Sequence, residues 1–177
     1  ITDPSFTLNG TSLGLDVFYT KRDTDRLSVF RFTQDRAGGA VRMGFPLSEY
    51  WRDTLRLAFE RTDTESGTLT LTQDESEFLG VQNHIKLRNT ISYDSRDSTI
   101  FPRSGMHHQF RTEASLPGGD TRYYEVGLDA KVFFPVFDAS AWSVGMDVAR
   151  LKGYDGEAVP FYERFYLGGA RSVRGFD

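Results

Sequence analysis

The residues best suited to a specific task lie in one stretch, Gly168-Gly169-Ala170-Arg171-Ser172-Val173-Arg174-Gly175-Phe176-Asp177. Arg174 stands between a β-branched residue and a glycine, after the aromatics Phe161, Tyr162, Phe165 and Tyr166, in a segment with neither helix nor strand period. A guanidinium carried on such a loop suits delivery to a fixed carboxylate, because its planar fork meets two oxygens and its charge does not titrate. Gly168, Gly169, Val173, Arg174, Gly175 and Phe176 are therefore the candidate functional loop. The other chemistry-bearing motifs read as structure. Gly10-Thr11-Ser12-Leu13-Gly14 fits the G-x-S-x-G pattern, but a hydrolase needs that serine on a strand-to-helix turn, and Ser12 opens an alternating stretch. His107 and His108 are adjacent, so on a strand they face opposite ways and do not share a metal. Asp94 and Asp97 flank Arg96 in a turn, where local hydrogen bonding explains them better than paired-carboxylate catalysis. Gly168-Gly169 with Arg171 and Arg174 has the makings of an anion nest, without the Lys-Ser/Thr pair or following helix of a nucleotide loop. No catalytic set, metal or cofactor is expected.

Composition narrows the class. Hydrophobic residues make up 38% and mean hydropathy is −0.44, with no apolar run near the roughly 18 residues of a membrane helix. A transmembrane β-barrel remains open, since its wall alternates lipid-facing apolar with lumen-facing polar residues. Aromatics at 14% fit girdles at two membrane interfaces. The absence of cysteine excludes a disulfide framework and thiolate metal sites, and a net charge of −4 argues against a nucleic-acid partner. Ile1-Thr2-Asp3-Pro4 has no basic start or apolar core, so either a leader has been removed or this is an internal piece of a longer chain.

The elements that position the loop alternate at period two. Leu13, Leu15, Val17 and Tyr19 oppose Ser12, Gly14, Asp16 and Thr20, with Phe18 out of step. Similar alternation covers residues 39–45, 55–60, 85–94, 106–116, 123–134 and 142–149, with Asn89 an exception on an apolar side. Seven strands follow, several of about 9–11 residues, the length that crosses a bilayer at a tilt, against about 5–6 in a soluble sandwich. Residues 20–36 and 61–82 are expected as long polar outer loops and residues 46–53 and 135–141 as short periplasmic turns. By parity 94–105 is periplasmic, and 117–121 is an unusually short outer loop. Phe45, Trp51, Tyr93, Phe101, Phe134, Phe137 and Trp142 then gather at the periplasmic rim. The segment from residue 152 leaves from the outer side, so Arg174 reaches a carboxylate only by folding back into the bore.

At this point the sequence resembles the BamA family of outer-membrane β-barrel assembly proteins. The resemblance rests on Gly10-Thr11-Ser12-Leu13-Gly14, Gly44-Phe45-Pro46-Leu47, Tyr93-Asp94-Ser95-Arg96-Asp97 with Phe101-Pro102 and Gly105, Leu116-Pro117-Gly118-Gly119-Asp120 with Tyr123-Tyr124, and Pro160-Phe161-Tyr162-Glu163-Arg164-Phe165-Tyr166 before Gly168-Gly169 and Val173-Arg174-Gly175-Phe176, in that order. It implies an all-β, antiparallel transmembrane barrel section, about strands five to eleven of a sixteen-stranded barrel plus most of the sixth extracellular loop, with the periplasmic repeat domains absent. It also implies a non-catalytic factor of the bacterial outer membrane. Its partners would be unfolded outer-membrane proteins as clients, accessory lipoproteins reached mostly through periplasmic domains, and the lipid bilayer. In relatives the motif arginine pairs with acidic residues on later strands, so its partner would lie beyond Asp177. An autotransporter assembly factor of the TamA kind, a two-partner-secretion exporter and a passive porin are the alternatives.

Overall fold

The computed structural model describes residues 2–3, 6–7, 10–23, 32–66, 76–137 and 140–164. Eight strands form one antiparallel sheet in chain order: β1 (Thr2–Asp3), β2 (Ser12–Asp23), β3 (Phe32–Pro46), β4 (Trp51–Ser66), β5 (Gly80–Asp94), β6 (Gly105–Ser115), β7 (Tyr123–Phe137) and β8 (Ser140–Gly153). The seven expected strands are all present, and β1 adds two residues against Leu13 and Gly14 at the edge. Each strand pairs only with its chain neighbours, so the described residues form an open section of wall with β1–β2 at one edge and β8 at the other.

The two faces have exchanged the usual roles of surface and core. Leu15, Val17, Val41, Phe59, Phe110, Leu128, Val144 and Met146 share one face and are exposed there, Val17 to 93%. The polar face instead carries buried Glu60, Thr62, Lys86, Glu113 and Ser115, together with a buried apolar cluster of Phe32, Phe78, Phe161 and Tyr162. Apolar side chains turned outward over a whole sheet need an apolar solvent, and polar ones turned inward need each other or water. No second sheet packs on the apolar face among the described residues, which removes the sandwich alternative.

Strand ends differ from expectation in one respect. The polar stretches read as loops between β2 and β3 and between β4 and β5 are partly strand: Asp23 pairs with Thr33, and Phe32 with Ser66. Along 61–65 the alternation of burial continues, with Thr62 and Thr64 buried and Arg61, Asp63 and Glu65 exposed, but both sets are polar. Pairing persists where hydropathy no longer reports it.

Both exceptions to the alternation have partners. Phe18 lies on the polar face over Gly38, where a Cβ would sit 2.8 Å from the ring's Cζ, and the Arg56 guanidinium lies 5.6 Å above the ring centroid. Asn89 lies on the apolar face and donates from Nδ2 to Asp53 Oδ1 at 2.6 Å. The aromatic rim forms at the short-turn end: Trp51 and Tyr93 are 5.0 Å apart, Phe134 and Trp142 6.4 Å.

The β5–β6 turn holds the Asp-Arg-Asp motif in a structural role. Asp94 accepts from Arg96 at Nε (2.8 Å) and Nη2 (2.6 Å), and Asp97 accepts the Arg103 and Ser104 N–H groups at 2.9 and 3.2 Å. Those backbone donors hold the Asp97 carboxyl below its ordinary range. His107 pairs with Asp94 and His108 with Tyr93, which places the two imidazoles on opposite faces. Ser12 opens β2 with no helix after it, so the hydrolase pattern is coincidental.

The short loop between β6 and β7 has a structural cause. β6 is 11 residues long beside the 15 of β5, and its register ends at Lys86, leaving the upper part of β5 without a strand partner on that side. Residues 116–120 take its place: Leu116 N–H donates to Ile85 O (2.6 Å), Asp120 N–H to Asn83 O (2.8 Å), and Asn83 N–H to Asp120 Oδ2 (2.6 Å). Gly119 permits the approach, since a Cβ there would lie 2.9 Å from Asn83 O.

Candidate functional site

From the end of β8 the chain turns back over the long-loop end of the sheet and lies against its polar face. The turn uses Asp155 (φ 56°) and Gly156 (φ 80°), with Arg122 holding Asp155 at 3.0 Å and Glu157 at 3.4 Å. Tyr154 donates its hydroxyl to Ser115 O, which ties the segment to the upper end of β6. Residues 158–160 then lead into a single 3-10 turn, Phe161–Glu163, opened by Pro160, whose fixed φ suits the start of a helix.

That turn makes an apolar contact and an ionic one. Phe161, 0% exposed, meets Phe32 edge-on at 5.2 Å, and Tyr162 packs on Phe161 at 5.3 Å. The Tyr162 hydroxyl donates to Gln82 Oε1 at 3.0 Å and lies 3.5 Å from His84 Nε2, while His84 Nδ1 is 2.8 Å from Thr121 Oγ1. Burial and the nearby Glu163 push the Tyr162 phenol upward, so it stays a neutral donor. One residue on, Glu163 Oε1 is 2.8 Å from Lys86 Nζ and 3.1 Å from Arg36 Nη2. Lys86 also reaches Glu60 Oε2 at 3.2 Å, and Glu60 lies 3.6 Å from Arg56. A second pair beside it, Arg88 Nη2 to Glu113 Oε2 at 2.6 Å, receives the Tyr123 hydroxyl on Glu113 at 3.4 Å. The turn thus grips β3 through Phe32 and Arg36 and β5 through Gln82, His84 and Lys86, while Glu60 of β4 shares the Lys86 ammonium with Glu163.

Burial alone would raise the Glu163 carboxyl, but Lys86 and Arg36 outweigh it and hold the group below the usual glutamate range. A carboxylate depressed in the docked state contributes stability that is present above its free value, about 4.3, and lost as pH falls through the depressed one. Docking should therefore be constant from neutral pH down to about 5 and weaken progressively below about 4. A spin label at Val159 would report it as increased mobility in acid, and Glu163→Gln should abolish that pH dependence.

The sequence-based candidates Gly168, Gly169, Val173, Arg174, Gly175 and Phe176 lie outside the described residues. What the structure brings together is the segment just before them. Phe161, Tyr162 and Glu163 belong to the aromatic motif recognised in the sequence; Lys86, Arg36, Glu60 and His84 were not singled out. Lys86 and Glu60 were visible only as charged residues at the polar places of alternating strands; Arg36 fell in a stretch expected as loop, and His84 just outside an expected strand. No group of three metal-ligating side chains occurs among the described residues.

An antiparallel sheet with its apolar face exposed, its polar face charged, and a segment folded back along that inner face defines a section of a membrane-type β-barrel wall. A profile of the Omp85 superfamily domain matches residues 1–177. The chain belongs to the Omp85 superfamily. It is 29% identical to the outer membrane protein assembly factor BamA of Neisseria meningitidis, over 99% of this chain and 24% of that protein. It is 30% identical to the human sorting and assembly machinery component 50 homolog, over 88% of this chain and 31% of that protein. The crystal structure of Haemophilus ducreyi BamA lacking POTRA domains 1–3 superposes with a TM-score of 0.88 at 24% identity, covering 99% of this chain and 36% of that one, which shows the barrel fold. The chain thus spans about a quarter to a third of the length of the curated relatives it matches.

Proposed function

We propose that this chain is a wall section of a bacterial outer-membrane assembly factor that folds and inserts other β-barrel proteins without chemical turnover. Its clients would be unfolded outer-membrane proteins, with the bilayer and accessory lipoproteins as further partners. The section corresponds to about strands five to eleven of a sixteen-stranded barrel with most of the sixth extracellular loop, its periplasmic repeats lying outside this sequence. The reading is supported by family membership, by the assembly roles in the relatives' names, and above all by the segment 154–164 lying back along the inner face. A passive porin, which narrows its pore with an inward loop, is the second reading, and a large, stable, ion-selective conductance of the complete protein would favour it.

In this reading Glu163 and Phe161 fix the root of the loop, and Arg174, eleven residues further on, reaches a carboxylate of the remaining wall with Val173, Gly175, Phe176 and the Gly168-Gly169 pair shaping its approach. A charge confined in the bore needs a partner, and losing one member of a buried pair costs about 3–5 kcal/mol. Arg174→Ala in the complete protein is expected to loosen the loop and impair client assembly. The check is porin assembly in a strain depleted of its own copy; normal growth and porin levels on the variant would remove the role assigned to Arg174.

A further inference from the structure

Beside the docked segment, on its β2 side, the inner face holds a cavity of about 480 Å³. Its lower end is a row of three guanidinium groups at one register level: Arg42 pairs with Arg56, and Arg56 with Arg88. Like charges directly opposite one another on a sheet repel, so this row needs anions. Asp16 lies 3.6 Å from Arg42, Glu113 2.6 Å from Arg88, and Glu60 3.6 Å from Arg56, but Glu60 is shared with Lys86. At the upper end Arg22 and Gln34 are cross-strand partners. Arg22 has no ion-pair partner among the described residues. Gln34 is 2% exposed, and its buried Nε2 makes no hydrogen bond among them. Even counting Glu163 on Arg36 and Lys86, the cations around this cavity outnumber the carboxylates by two among the described residues.

We propose that this cavity binds a phosphate ester carrying at least two negative charges. Guanidinium groups at both ends supply forked donors to tetrahedral oxyanions, Gln34 supplies a neutral donor already desolvated, and the excess positive charge matches the ligand's. The volume falls within the range of small-molecule sites and exceeds what a lone phosphate fills. The cavity's ligand depends neither on an assembly role nor on where Arg174 lies.

Two sources offer that chemistry, a soluble phosphate ester entering the bore and a phosphorylated lipid headgroup. The test uses the complete protein, delipidated in a zwitterionic detergent, titrated by calorimetry with inorganic pyrophosphate and separately with dihexanoyl phosphatidic acid, against a sulfate background of equal ionic strength. Saturable pyrophosphate binding assigns a soluble ligand; saturation by the phosphatidic acid alone assigns a lipid. In either case Arg22→Gln/Arg56→Gln should weaken binding at least about tenfold. Arg61→Gln, on the opposite face, should leave it unchanged, with retained heat-modifiable gel mobility showing that each variant is folded. The proposal fails if the wild type binds neither probe saturably, as it would if carboxylates of the remaining wall fill the cavity, or if the folded double variant binds as well as the wild type.

Discussion

Lys86→Met is expected to release the docked segment from the wall. Lys86 is 3% exposed, and its ammonium is the shared counterion of Glu163 (2.8 Å) and Glu60 (3.2 Å). Methionine keeps the volume but leaves two carboxylates facing each other with less compensation, and breaking such a buried pair costs about 3–5 kcal/mol. The cost should fall on the docked state alone, because β5 keeps its backbone pairing to β4 and β6. A label at Val159 should then become mobile at neutral pH, with the urea midpoint of the strands little changed. Lys86→Met/Glu163→Gln should recover much of the loss, since Arg36 and Arg56 remain for Glu60. A label as immobile in Lys86→Met as in the wild type would mean that Arg36, the Tyr162 hydroxyl and the aromatic contact of Phe161 hold the segment without Lys86.

The second large effect is expected at Gly105, which opens β6 at φ 101°. A Cβ there would overlap the carbonyl oxygen of Ser95 in the Asp-Arg-Asp turn, and that oxygen is backbone, so neither group has a rotamer to escape into. Gly105→Ala thus combines conformational strain with a clash, together more than about 3 kcal/mol. Gly80, with φ 80° and no atom within 4 Å of its would-be Cβ, supplies the control. Gly80→Ala should cost only the conformational term, about 1 kcal/mol. Urea unfolding of the refolded complete protein measures both, and equal midpoints would show that the turn yields.

The strands were legible because each face meets its own solvent. Wherever one side contacts lipid and the other the bore, as from Tyr124 to Phe134, hydropathy records the pleat residue by residue. The record fails above the apolar band, along Arg61–Glu65, where both faces are polar and only backbone pairing defines the strand. Phe18 and Asn89 broke the pattern because each has a particular neighbour, a glycine on the adjacent strand in one case and a carboxylate in the other. The docking site was not legible. Glu163 and Lys86 are 77 residues apart, and no spacing rule connects a loop carboxylate with one of several inward cations. The aromatic run before Arg174 is visible in the sequence, but nothing in its composition tells that Phe161, Tyr162 and Glu163 are the residues that the described wall grips.

The shortness of β6 has a consequence for how the loop enters. At 11 residues against the 16 of β4, it leaves a low sill in the rim, finished by the clasp of Leu116 and Asp120 on β5. Tyr154 crosses at that sill, fastened to Ser115, the last residue of β6. Only nine residues lie between Gly153 and Glu163, so the chain has little slack with which to clear a taller parapet. The low step and the tether are matched in height, and lengthening the one without the other would strand the loop above the bore.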